Sequence, residues 1–291
     1  MTQRDSRRGI LRWFRTTGWR HLVGIAMGMF ALGPLAYVLS ASLNPSGTLV
    51  GSNALFARVG IDNYLELFQS PSAPFAAWFM NTLLIGGIAS LGTVFLGALA
   101  AYAFSRMRFT GRRVGLMTLV LVQMFPQFLG VVAIFLLLNA IGEVFPAIGL
   151  GTRPGLILVY LGGALGVNTY LMYGFFNTIP RSIDEAARID GAGHARVFFT
   201  IILPLVTPIL AVVFLLSFIY TTGDFVIASV VLTDPASQTV AIGLFQYISD
   251  QNSKNWGVFA AGAVLSALPV MALFLLLQRY IVSGLSAGAV K

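Results

Sequence analysis

The sequence predicts an all-α protein that crosses a membrane six times, and three observations carry that prediction. Hydrophobic residues fill 57% of the 291 positions and charged residues only 10%, with a mean hydropathy of +0.84; soluble domains hold about 45–50% apolar residues. The apolar residues gather into six runs, each long enough at about 1.5 Å per residue to cross about 30 Å of hydrocarbon. The 18 lysines and arginines then divide between alternate connecting segments as fifteen against three, which places the richer side, with both chain ends, in the cytoplasm.

Residues 1–21 form a basic N-terminal segment, with Arg4, Arg7, Arg8, Arg12, Arg15 and Arg20 against Asp5, interleaved with Trp13, Phe14 and Trp19. Basic residues among aromatics suit nucleic acid, but directly before an apolar span they suit anionic lipid headgroups, so a membrane surface is expected and no nucleic-acid partner. The first span is Leu22 to Leu43, too long for a signal peptide and read as an uncleaved anchor. A polar, proline-broken outer loop runs from Asn44 to Trp78, and the second span from Phe79 to Phe104 ends in Arg106, Arg108, Arg112 and Arg113. The third span, Val114 to Ile141, is kinked at Gln123 to Gln127, where Pro126 removes a donor. After an outer loop from Gly142 to Pro154 comes the fourth span, Gly155 to Phe176, whose Gly162 and Gly166 suit close helix packing. The fifth span is Leu205 to Leu232, a polar outer loop covers 233–256, and the sixth span is Gly257 to Ile281, followed by a small-residue tail at 282–291. Residues 22–291 are thus one membrane domain.

Between the fourth and fifth spans, residues 180–204 hold Arg181, Asp184, Glu185, Arg188, Asp190 and Arg196. Six charges at mid-bilayer would cost roughly 15 kcal/mol, so this island lies in water or against protein. Ser182 and Glu185 have capping-box spacing, Ile183 to Ile189 are helix-compatible, and Gly191 and Gly193 supply a turn. A second short helix from His194 sets Phe198, Ile201 and Ile202 on one face and is expected to close at Pro204.

At these positions the chain resembles a known family. Glu185-Ala186-Ala187, Asp190-Gly191-Ala192, Phe198, Ile201 and Leu203-Pro204 are similar to the EAA loop of binding-protein-dependent ABC importer permeases. Ala101 to Phe109, the Gln123 to Pro126 kink, Gly223 to Ser229 and Phe259 to Ser266 resemble its carbohydrate branch, and the tail Gly284 to Lys291 resembles the maltose and maltodextrin type. The resemblance implies a type I importer permease fold with the island as a coupling helix seated in a cytoplasmic ATPase. Glu185, Ala186, Ala187, Asp190 and Gly191 are then the ATPase-coupling residues, with Glu185 facing a basic partner residue. It further implies a second permease subunit, a pair of ATPase subunits that hold the ATP and magnesium, and a sugar-binding protein outside. The loop Gln246, Tyr247, Asp250, Gln251 and Asn252 would reach that binding protein, and the tail would touch the ATPase pair. Here the loop is a residue longer, with Asp250 where a proline is usual, and the tail lacks a final glycine.

Other residue types bound the chemistry. No Walker A pattern exists, so ATP has no P-loop site in this chain. Cysteine is absent, and His21 and His194 stand apart without companion ligands, so neither a metal site nor a catalytic constellation is expected. Gln123, Gln127, Asn168, Tyr170 and Tyr173 suit a sugar path of amides and aromatic faces, and suit interhelical bonding equally. Asp224, the one acid within an expected span, sits about 30 Å along the fifth helix, where a helix break or interhelical bond fits better than a proton relay. An ion-coupled secondary transporter needs ionisable residues nearer mid-membrane, so the expected activity is import of maltose or maltodextrin-type sugars, with trehalose or another glucoside as the alternative.

Overall fold

The computed structural model describes residues 13–46, 55–70, 73–163, 165–249 and 255–289, without the side chains of 14, 15, 127 and 282–289. All regular structure among the described residues is helical. Among the described residues, three helices are singly long and apolar enough to span a membrane, and three bent helix pairs raise the number to as many as six. The chain packs as two units, one drawn from Met1–Gln69 and Tyr247–Val264, the other from Ser70–Gln246 and Leu265–Lys291. Arg4, Arg7, Arg8 and Arg12 lie outside the described residues.

In the first unit, α1 (Trp19–Ser42) follows a π-helical turn at Phe14–Gly18. It is apolar on every side, and exposed residues such as Leu22, Phe30 and Leu35 line it, as befits a helix surrounded by apolar neighbours rather than by water. The region expected as a plain outer loop contains α2 (Asp62–Gln69). Asn63 ties it to the end of α1 by donating to the carbonyls of Ser42 at 3.0 Å and Asn44 at 2.8 Å.

The second unit is built around α3 (Phe75–Arg106), 32 residues and so about 48 Å long. Small residues on its buried stripe, including Ala89, Ser90, Ala98 and Ala101, let neighbouring helices approach closely. At the Arg106 end, Ala98, Ala101 and Tyr102 join Met172, Phe176 and Phe198 in one apolar cluster. Toward the Phe75 end, Ile85 and Ala89 join Leu156, Tyr160, Ile227 and Val231 in a second.

The expected third-span kink is an 82° bend between α4 (Arg112–Gln123) and α5 (Val131–Val144), bridged by a 3-10 turn at Gln127–Gly130. The segment expected as a continuous fourth span is not one helix. It breaks by 54° between α6 (Arg153–Gly162) and α7 (Val167–Phe176). The glycine pair read as a packing groove marks this break: no neighbouring element lies within 4 Å of where a Gly162 Cβ would sit, whereas the Gln123 side chain occupies the place of a Gly166 Cβ.

Beyond α8 (Arg181–Ile189), α9 (His194–Leu205) passes through a π turn at Val197–Ile202 and continues past Pro204. The break comes instead at Val206, with a 78° bend into α10 (Thr207–Gly223). Pro208 has no N–H for the Pro204 carbonyl four residues back, and the Thr207 hydroxyl donates to that carbonyl at 2.8 Å. The expected fifth span also ends early, because Asp224 leaves helical geometry before α11 (Val226–Val231).

Polar residues led the stretch 233–256 to be read as a loop, yet it contains the apolar helix α12 (Val240–Ser249) with Val240, Ile242 and Leu244 buried. Gly243 is required there, since the indole of Trp78 fills the place of its Cβ. Finally, α13 (Trp256–Ala289) carries the backbone through 282–289, the segment expected as a tail, as continued helix.

Candidate functional site

The charged island folds as α8 followed by a turn and α9. Its helix starts two residues earlier than the capping box requires: Pro180, in extended conformation, is the N-cap. Ser182 therefore lies inside the first turn, where its hydroxyl has no role as a cap. The helix ends as a Schellman motif. Gly191 takes φ +81°, its N–H donates to Arg188 at 3.0 Å, and the Ala192 N–H donates to Ala187 at 2.9 Å. Glycine occupies this left-handed position without Cβ strain, while Ala187 lies in the apolar cluster against which Ala192 packs.

One face of α8 is gripped and the other is bare. Asp184 and Ala187 are buried, whereas Glu185, Ala186, Asp190 and Gly191 are exposed and Ile189 is 86% exposed. On the gripped face Asp184 Oδ2 lies 2.9 Å from Arg106 Nε at the end of α3, with both side chains almost fully enclosed. Arg106 also donates to the Ile179 carbonyl at 3.0 Å, and Arg181 donates back to the Ser105 carbonyl at 3.1 Å. The ring of Tyr102 meets that of Phe198 at 5.1 Å. A buried ion pair needs further hydrogen bonds to complete it; the guanidinium of Arg106 gains one from the Ile179 carbonyl, whereas among the described residues the Asp184 carboxylate has the charge of Arg106 and no hydrogen bond.

Sequence reasoning treated Arg106 as one of several cytoplasmic arginines and Asp184 as one of six wetted charges, and so missed their pairing. The available signal was positional. Asp184 falls between Ile183 and Ala187 on the inward face of an amphipathic helix, where an acid needs a partner.

The proposed path residues divide. Gln123 and Asn168 line a cavity of about 750 Å³, together with Tyr160, Ser217, Tyr220 and mostly aliphatic side chains. Tyr170 is exposed, Tyr173 packs against the Phe176 cluster, and the side chain of Gln127 is outside the described residues. Both amide atoms of Gln123 are committed to the backbone at the α6–α7 break: Nε2 donates to the Gly163 carbonyl, and Oε1 accepts from the Val167 N–H at 2.7 Å. Gln123→Leu is expected to leave both groups unpaired, costing about 1–3 kcal/mol each. A lower thermal midpoint in detergent checks this, with Gln123→Glu, which retains the acceptor, intermediate.

Asp224 both ends a helix and bridges two. Its Oδ2 accepts from the Tyr160 hydroxyl at 2.8 Å and from the Ala228 N–H at 3.0 Å. Of the outer-loop residues, Gln246 is exposed and donates to Gln238 at 3.0 Å, and Tyr247 is half-buried. Asp250, Gln251 and Asn252 lie outside the described residues.

Comparison with known proteins places these features in a family. Residues 93–287 match the model of the binding-protein-dependent transport system inner membrane component. The maltose/maltodextrin transport system permease protein MalG of Salmonella typhimurium is 46% identical over 280 residues, covering 93% of each chain. The galactooligosaccharides transport system permease protein GanQ of Bacillus subtilis is 39% identical over 266 residues, 91% of this chain and 92% of its own. Among solved structures, a bacterial ABC transporter that imports the acidic polysaccharide alginate superposes with a TM-score of 0.75 at 24% identity, covering 96% of this chain and 98% of that one. The chain belongs to the family of binding-protein-dependent transport system inner membrane components.

Proposed function

We propose that this chain is a permease subunit of a binding-protein-dependent ABC importer that carries maltose or maltodextrin-type oligosaccharides across the cytoplasmic membrane. The observation that carries this reading is the coupling helix: a bare face of Glu185, Ala186, Ile189, Asp190 and Gly191 on a helix whose opposite face is fixed to the membrane domain. Ile189, 86% exposed, sits on that face among the charges.

In this reading the chain crosses the membrane six times with both ends in the cytoplasm, each bent helix pair serving as one span. Fifteen of the 18 basic residues then lie inside, in agreement with the positive-inside rule. The basic segment 1–21 rests on lipid headgroups, and 22–291 form the permease domain. A MalF-like second permease subunit completes the pathway, and a MalK-like ATPase pair holds ATP and magnesium and performs the hydrolysis, so this chain needs no cofactor of its own. A sugar-binding protein delivers the cargo to the outer face near Gln246 to Asn252.

Co-expression with candidate partners tests the assembly, the expected result being copurification with an ATPase and binding-protein-stimulated hydrolysis in liposomes. The likeness to the galactooligosaccharide permease favours a second cargo class, with trehalose a further glucoside to compare. A competition panel on labelled maltose uptake separates them: maltodextrins are expected to compete and galactooligosaccharides to fail, and the reverse order would reassign the cargo.

A further inference from the structure

We propose that α3 is a rigid strut joining the coupling helix to the segment 235–246 on the far side of the membrane. The inference rests on the transport reading and concerns how a displacement at the ATPase reaches the outer face. Both covalent neighbours of the coupling helix are poor levers. The chain before it, α7, meets α6 at a 54° break, and the chain after it, α9, meets α10 at a 78° break. Breaks of this kind are where hinge rotation concentrates, the first of them braced across its gap by the Gln123 side chain. The stiff route is non-covalent and runs through α3.

At its Arg106 end, α3 is locked to the coupling region by three polar links: the buried Arg106–Asp184 pair at 2.9 Å, Arg106 to the Ile179 carbonyl at 3.0 Å, and Arg181 to the Ser105 carbonyl at 3.1 Å. Between its ends, α3 runs for 32 residues with no proline. At its other end it is stapled to 235–246. Trp78 Nε1 donates to the Pro235 carbonyl at 2.8 Å, and Asn81 Nδ2 donates to the carbonyls of Ala236 and Gln238 at 2.9 Å. The Thr82 hydroxyl accepts from the Val240 N–H at 2.8 Å. Four such hydrogen bonds, two of them fully buried, hold the two segments together. The strut therefore ends on the stretch that leads directly into the proposed binding-protein contact at Gln246.

The chain contains no cysteine and Thr233 is exposed, so Thr233→Cys accepts a single environment-sensitive fluorophore beside the stapled segment. In complexes assembled in liposomes with cysteine-free partners, a non-hydrolysable ATP analogue with magnesium is expected to shift its emission. Asp184→Asn and Asn81→Ala, made separately, are each expected to reduce the shift by at least half, and the exchange Arg106→Asp with Asp184→Arg to restore it. Should Asp184→Asn fail to assemble, Asn81→Ala decides the matter, since it leaves the coupling region untouched. An undiminished shift in Asn81→Ala overturns the strut, as does a labelled parent complex that shows no shift. Sugar uptake by the same vesicles judges the transport reading separately.

Discussion

Gly191→Pro is expected to abolish sugar uptake while the chain still inserts in the membrane. The turn after α8 needs φ +81° at this residue, and proline is locked near −65°, with no N–H to donate to the Arg188 carbonyl. The loss of conformation and hydrogen bond together amounts to at least about 3 kcal/mol, enough to unwind the C-terminal turn of α8. Gly191→Ala, at about 1–2 kcal/mol, is expected to retain measurable uptake. Glu185→Ala provides the contrast, because its exposed side chain contributes little to the fold. Its loss should leave α8 intact and weaken ATPase docking by about 2 kcal/mol, roughly thirtyfold, as for a charge pair desolvated at an interface. Uptake and ATP hydrolysis measured on the same liposomes check both variants. Full uptake in Gly191→Pro and Glu185→Ala would remove the coupling role from this helix.

A second large effect is expected at the end of α3. Arg106→Met leaves Asp184 enclosed without a cation, a change that costs about 3–5 kcal/mol when one partner of a buried pair is deleted. Arg106→Met combined with Asp184→Leu removes the stranded charge and is expected to recover most of that loss, since apolar replacements of whole buried pairs are often neutral. Thermal unfolding of the detergent-solubilised chain in a double-mutant cycle gives the coupling energy directly. Additive losses would mean that the two side chains do not depend on one another, contrary to their 2.9 Å separation.

Membrane character, helical class and the charged island were legible from local composition, because hydrophobicity and charge are properties each segment carries by itself. The same holds for Gly191, whose position after Ile189 and Asp190 marks a helix end in any context. Breaks were harder to place. Pro126 announced a kink, but Pro204 stayed inside its helix and the break fell at Val206, where Thr207 and Pro208 together free and then satisfy a carbonyl. The segment around Val240–Ser249 looked like a loop because of its polar neighbours. It is an apolar helix whose first N–H, at Val240, donates to Thr82, while Trp78 and Asn81 donate to the carbonyls of Pro235 and Ala236 just before it, all from some 155 residues earlier in the chain.

By itself, the sequence determined that the chain belongs in a membrane, how its basic residues bias its orientation, and which short helix is too charged for the bilayer interior, since each follows from residues close together in the chain. The tertiary structure alone decided that Arg106 meets Asp184, that Gln123 bridges the broken helix at Gly163 and Val167, and that both ends of α3 are tied down. Those outcomes depend on which distant groups come within reach of one another, and in an apolar interior an unpaired polar group is costly, so most of them pair wherever the fold provides a partner.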